Sequence, residues 1–122
     1  MAIIKHRFIH SREDFFRLLD ECLERVSDFE QKEPAYPVWR LFRIELEEMK
    51  QWTEAGRTPA VEERQSIMMG RIITREFEPA PTVEIQHLTG RLTELQFYFK
   101  HWKDDDAWNS MDDTDMSTYF PL

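Results

Sequence analysis

Apolar residues recur at steps of three and four along most of this chain, the spacing that gathers them on one face of an α-helix. Phe15, Leu19, Cys22, Val26 and Phe29 form the first such stripe. Ser11-Arg12-Glu13-Asp14 just ahead has the form of a capping box with aspartate at its third helical position, so a helix is predicted from about Glu13 to Phe29. The link QKEPAYP breaks it twice. Pro37 then suits the first turn of a second helix carrying Val38, Phe42, Met49 and Trp52. Leu41, Ile44 and Leu46 widen its apolar face, and Gly56 ends it.

Thr58-Pro59-Ala60-Val61-Glu62-Glu63 predicts a third helix: a capping hydroxyl, proline at the first position, and two acids near the positive end of the helix dipole. It is expected to pass through RQSIMMGRIITREFEP, Arg64 to Pro79, and to stop at Pro79 and Pro81. Thr82 can cap a fourth helix, whose Ile85, Leu88, Leu92, Leu95, Phe99 and Trp102 keep the cleanest rhythm in the chain.

Short links between four amphipathic helices favour antiparallel neighbours. The predicted fold is therefore all-α: a compact antiparallel bundle of about four helices with an N-terminal arm and an acidic C-terminal tail. One domain, 1–122, divides into the arm (1–12), the bundle (13–102) and an acidic-aromatic tail (103–122). Ile3, Ile4, Phe8 and Ile9 are apolar enough for the arm to pack. In the tail, six aspartates lie between Asp104 and Asp115, interleaved with Trp108, Met111, Met116, Tyr119 and Phe120, and docking onto the bundle is expected.

A hydrophobic content of 41% with 13% aromatics excludes wholesale disorder. Sixteen basic against 24 acidic residues give a formal charge of −8, which repels nucleic-acid phosphates and anionic lipid and favours a basic protein surface as partner. Cys22 is the only cysteine, so no intramolecular disulfide forms. Its place in an apolar stripe predicts a buried small hydrophobe. Neither a secretory leader nor a membrane-spanning run is apparent, and a cytoplasmic location is expected.

Candidate chemistry is sparse. His6 and His10 have the spacing of two zinc ligands on a helix, but no third ligand stands near them and Lys5 and Arg7 disfavour a cation. DDDAWNSMDDTD lacks the glycine of a calcium loop; a solvated tail and an acidic-aromatic surface for a basic partner are the two readings left to it. Gly56, Gly70 and Gly90 belong to no phosphate-binding turn, and no nucleophile motif occurs. The chain is therefore expected to have no enzymatic activity, no cofactor and no metal. Glu76-Phe77-Glu78 sets carboxylates against the dipole at a helix end, which suits either a frayed turn with Phe77 facing the core or a contact with a partner. Gly70 permits close approach of another helix, or of a partner's backbone.

Three runs then stand out: Tyr36-Pro37-Val38-Trp39, Ile44-Glu45-Leu46-Glu47-Glu48-Met49, and Met69-Gly70-Arg71-Ile72-Ile73-Thr74-Arg75-Glu76-Phe77-Glu78, followed by Val83-Glu84-Ile85. In order and pattern they resemble the small helical immunity proteins of bacterial type VI secretion toxin–immunity pairs, the family that neutralises NAD(P)-glycohydrolase and related nucleotide-consuming toxins. The resemblance spans about half the chain. It implies a non-enzymatic inhibitor that binds one cognate toxin domain and occludes a basic, nucleotide-binding cleft. The histidine-bearing arm and the acidic tail depart from the family's pattern, leaving the toxin and the contacting surface open.

The expected toxin interface is Glu76 and Glu78 together with Asp104, Asp105, Asp106, Trp108, Asp112, Asp113 and Asp115 of the tail. Acid steers a basic partner and buried aromatics supply affinity. Two other readings stand beside this one: a helical adaptor that dimerises through an exposed apolar stripe, and an acidic mimic of nucleic acid.

Overall fold

The structure, a computed structural model, describes residues 8–111. It is all-α: helices α1 (Arg12–Lys32), α2 (Pro37–Trp52), α3 (Val61–Gln65), α4 (Met69–Glu76), α5 (Val83–His101) and α6 (Asp105–Asn109), with one 3-10 turn at Glu54–Gly56. The four longer helices form a ring in which α1 packs on α2 and α5, and α4 packs on α2 and α5.

Cross-helix pairs set the register. Glu30–Arg43 and Asp20–Lys50 tie α1 to α2, and Phe15–Phe99 and Glu21–Arg91 tie α1 to α5. In each set the residue numbers rise on one helix as they fall on the other, so these neighbours are antiparallel.

The predicted starts of α1 and α5 agree with the caps. Ser11 Oγ accepts the Asp14 N–H at 3.1 Å, and Thr82 Oγ1 accepts the Ile85 N–H at 3.1 Å. Asp14 in turn accepts the His10 N–H, which holds its carboxyl below the usual carboxylate range. The stripes read from the sequence are the core: Phe15, Leu19, Cys22 and Val26 of α1 meet Val38, Phe42, Leu46 and Met49 of α2 and Leu88, Leu92, Leu95 and Phe99 of α5. Phe77 is buried as well, its ring stacked on Trp39 at 5.2 Å. At the Glu76-Phe77-Glu78 run, the reading with Phe77 facing the core is the one adopted.

The third predicted helix is two helices. α3 ends at Gln65 and α4 begins at Met69, because distant side chains replace the helical hydrogen bonds at the break. Glu45 of α2 accepts the Met68 N–H, while the Gln96 side chain of α5 donates to the Ile67 carbonyl at 2.9 Å and accepts the Gly70 N–H. A Cβ on Gly70 would sit 3.0 Å from Gln96 Oε1, so the glycine serves close packing inside the bundle. The start of α3 also differs: Pro59 lies before the cap, at Ala60, whose N–H donates to Glu63 Oε1 at 2.8 Å.

Most of the near part of the predicted tail is an integral element. Asp104 Oδ1 accepts the Ala107 N–H at 2.7 Å and caps α6. Trp108 then inserts fully into the core, against Phe97 and Tyr98. Its indole N–H donates to the Ile9 carbonyl at 2.8 Å. The arm closes the same side: Ile9 is buried, and the Phe8 and Ile9 N–H groups donate to the buried Glu94 carboxylate at 2.9 and 2.7 Å. Arg12 completes the joint, its guanidinium 3.8 Å from the Trp102 ring centroid and donating to Tyr98 Oη and the Lys103 carbonyl. Trp102 itself ends α5 at φ 45°, a left-handed conformation unusual for a bulky residue. Its contacts with Phe15, Phe16 and Arg12 hold it there.

Candidate protein-binding surface

The acidic residues singled out in the sequence do not form one surface. Glu76 and Glu78 stand just before α5, and Asp104, Asp105 and Asp106 stand just beyond its far end. With 19 residues in α5, roughly 28 Å of helix separates the two groups.

Within the second group most members are already engaged in the fold. Asp104 is the cap of α6, and Asp105 Oδ1 accepts the Arg12 N–H at 2.8 Å. Asp106 is exposed. Trp108, expected as an anchor for a partner, is 0% exposed and anchors the chain's own arm instead. Asp112, Asp113 and Asp115 lie outside the described residues, as do His6, Ile3 and Ile4.

The first group belongs to a coherent face built by α2 and α4. Two ties hold these helices side by side: Tyr36 Oη donates to Glu76 Oε1 at 3.0 Å, and both oxygens of Glu45 accept the Met68 N–H, at 3.0 and 2.9 Å. From Tyr36 to Glu45 the chain rises about 13 Å, and from Glu76 back to Met68 about 12 Å, so the two helices run antiparallel in step. Leu41 therefore lies level with Ile72, and Ile44 level with Met68.

By helix rise these four residues fall at matching levels of the two helices, an apolar strip of partly exposed side chains. Leu41 is 46% exposed, Met68 41% and Ile44 38%, and Ile72 is half-buried. Charged residues mark its ends. Glu48 lies one turn beyond Ile44, and Arg75 lies at the opposite end beside Glu76, its side chain 71% exposed and its Nε 3.3 Å from Glu76 Oε2. Glu78 is exposed just past that end.

Two groups on this face have shifted acidity. Burial pushes the Glu45 carboxyl above its ordinary range, partly countered by the N–H groups it accepts, and nearby Glu48 adds to the rise. Burial, followed by the hydrogen bond to Glu76, raises the Tyr36 phenol.

Leu41 and Ile44 were visible from the sequence as a widening of the α2 apolar face. Their pairing with Met68 and Ile72 was not, because it needs the break between α3 and α4. Among the described residues no group of three or more His, Cys, Asp or Glu is placed to hold a metal ion. No described helix is long and apolar enough to cross a membrane. No protein-family model matches the chain, and neither does any curated protein or any solved structure.

Proposed function

We propose that this chain is a non-enzymatic inhibitor that binds and neutralises one cognate toxin domain, in the manner of the type VI secretion immunity proteins it resembles. The observation that supports the reading is convergence. The runs that carry the resemblance are scattered from Tyr36 to Ile85, yet they meet in one unit: Tyr36 bonds Glu76, Trp39 stacks on Phe77, and Glu45 caps α4 at Met68. Runs far apart in sequence thus touch one another, through Trp39 and Phe77 in the core and through Tyr36, Glu45 and Glu76 nearer the surface.

On this reading the toxin meets the end of that face where Glu76 and Glu78 stand exposed. Carboxylates there would draw in a basic cleft of the kind that binds phosphorylated nucleotides and compete with the substrate for its positive charge. The inhibitor acts in the cytoplasm, where such a toxin would consume nucleotides. The test is to search the neighbouring reading frames for a toxin-like domain and to co-express it with this chain. Restored growth and a co-purifying complex are expected; undiminished lethality with no complex would remove the reading.

A further inference from the structure

Residues Phe8 to His10 of the arm are held as a peptide ligand is held, through their backbone. The Phe8 and Ile9 N–H groups donate to one oxygen of the Glu94 carboxylate at 2.9 and 2.7 Å. The Ile9 carbonyl accepts from the Trp108 indole at 2.8 Å, and the His10 carbonyl accepts from the Asn109 amide at 2.8 Å. Between these contacts the Ile9 side chain is fully buried, and the Phe8 ring centroid lies 4.5 Å from the Arg91 guanidinium. Main-chain hydrogen bonds combined with a pocket for one side chain are the means by which proteins take up extended segments of other chains.

The cradle that holds the arm comes from the other end of the chain. Glu94 of α5 and Trp108 and Asn109 of α6 lie 85 to 99 residues from the backbone groups they engage. Glu94 is only 1% exposed, and a carboxylate so buried needs N–H donors, which two successive amides of a segment laid across it supply. Covalent attachment adds little to this recognition: the exposed His10 alone joins Ile9 to Ser11, the cap of α1.

We propose that the α5–α6 cradle is a binding site for an extended, basic-apolar segment of another protein, and that the arm occupies it as a resident competitor. The arm defines the chemistry of the occupant. Lys5 and Arg7 precede Phe8-Ile9, and every acidic residue of the chain lies after them. A chain of formal charge −8 draws in a basic segment, an aromatic side chain then meets Arg91, and a branched aliphatic one fills the Ile9 pocket. The cradle stands towards the α6 end of α5, whereas Glu76 and Glu78 precede its start, so the site does not depend on the toxin reading.

The probe is a synthetic peptide with the sequence of residues 1–10, titrated into the full chain and followed by the indole N–H resonance of Trp108. In the wild type the tethered arm competes at an effective concentration of about 1 mM or more, so weak binding is expected. Ile9→Ala in the full chain empties the pocket and loosens the tethered arm, and the peptide should then bind at least about tenfold more tightly. Should that variant be unfolded alone, the peptide should restore its helical circular dichroism. Ile9→Asp in the peptide should abolish binding, and Lys5→Glu with Arg7→Glu in the peptide should weaken it about tenfold at low salt. A variant chain that neither binds nor refolds with about 1 mM peptide, or that takes the aspartate-bearing peptide equally well, would overturn the proposal. So would a wild type that dimerises in sedimentation and is returned to monomer by the peptide, since the cradle would then belong to the arm of a second copy. Toxin neutralisation is read separately, by the co-expression test.

Discussion

Glu45 on α2 accepts the backbone N–H of Met68 through both carboxylate oxygens, at 3.0 and 2.9 Å, and thereby starts α4 from a helix 23 residues away in sequence. Met68 is the residue that precedes α4, and the N–H of such a residue is met in a capping box by the side chain at the third helical position. That position holds Arg71, which has no acceptor, and the neighbouring helix supplies one.

Glu45→Ala should therefore cost about 1–2 kcal/mol in chemical denaturation, as the loss of a cap does elsewhere. The pH dependence has a definite sign. Because burial raises the folded carboxyl above the usual 4.5, the proton is held more tightly in the folded state. The Glu45 contribution is thus most favourable below 4.5 and is lost as pH rises through the raised value. Glu45→Gln keeps one acceptor and cannot ionise, so its stability relative to wild type should improve as pH rises across that window. A difference that stays flat with pH would show that Glu45 is not desolvated as described.

The joint between arm and α6 makes a second expectation. Trp108→Ala should destabilise by about 3–5 kcal/mol, because it empties a fully buried site and removes the donor to Ile9. Asp104→Ala should cost about 1 kcal/mol through loss of the α6 cap. Asp106→Ala, at an exposed position, should change stability by less than about 0.5 kcal/mol. Equal effects at Asp104 and Asp106 in thermal melts would argue against a folded α6.

The toxin contact, under the proposed function, separates the two ends of α5. Glu76→Gln with Glu78→Gln keeps an acceptor for Tyr36 while removing two charges, and should slow association about tenfold at low salt. The effect should shrink as salt rises. Asp106→Lys at the far end should leave the rate unchanged. Stopped-flow association at two ionic strengths distinguishes them, and the reverse ranking would move the interface to the α6 end.

Cys22 offers a probe of the core. Its thiol is 0% exposed and burial pushes its pKa up to about 12, so little thiolate exists at neutral pH. Reaction with a disulfide reagent at about pH 8 should be slower in the native protein than in denaturant by about 10³-fold or more, limited by opening of the bundle. Rapid native labelling would show that α1 opens locally without global unfolding.

The sequence by itself determined helices α1, α2 and α5 and the faces they bury. Ser11 and Thr82 cap where their side chains imply, and the Phe15–Val26 and Ile85–Phe99 stripes point inward, because both features depend only on residues within a turn or two of one another. Even Cys22 and Phe77 were legible as core candidates on that ground. The break between α3 and α4 was not, since the groups that satisfy its backbone, Glu45 and Gln96, lie more than 20 residues away along the chain.

Tertiary structure alone also decided which acidic residues share a surface. A run of aspartates looks the same in sequence whether it is solvated, capping a helix or meeting a partner. Packing put Asp104 at a cap, Asp105 on Arg12 and Trp108 beneath Ile9, and it placed α5 between them and Glu76. Periodicity reports how a residue faces its own helix; which helices lie side by side depends on contacts between distant parts of the chain, and these created the α2–α4 strip.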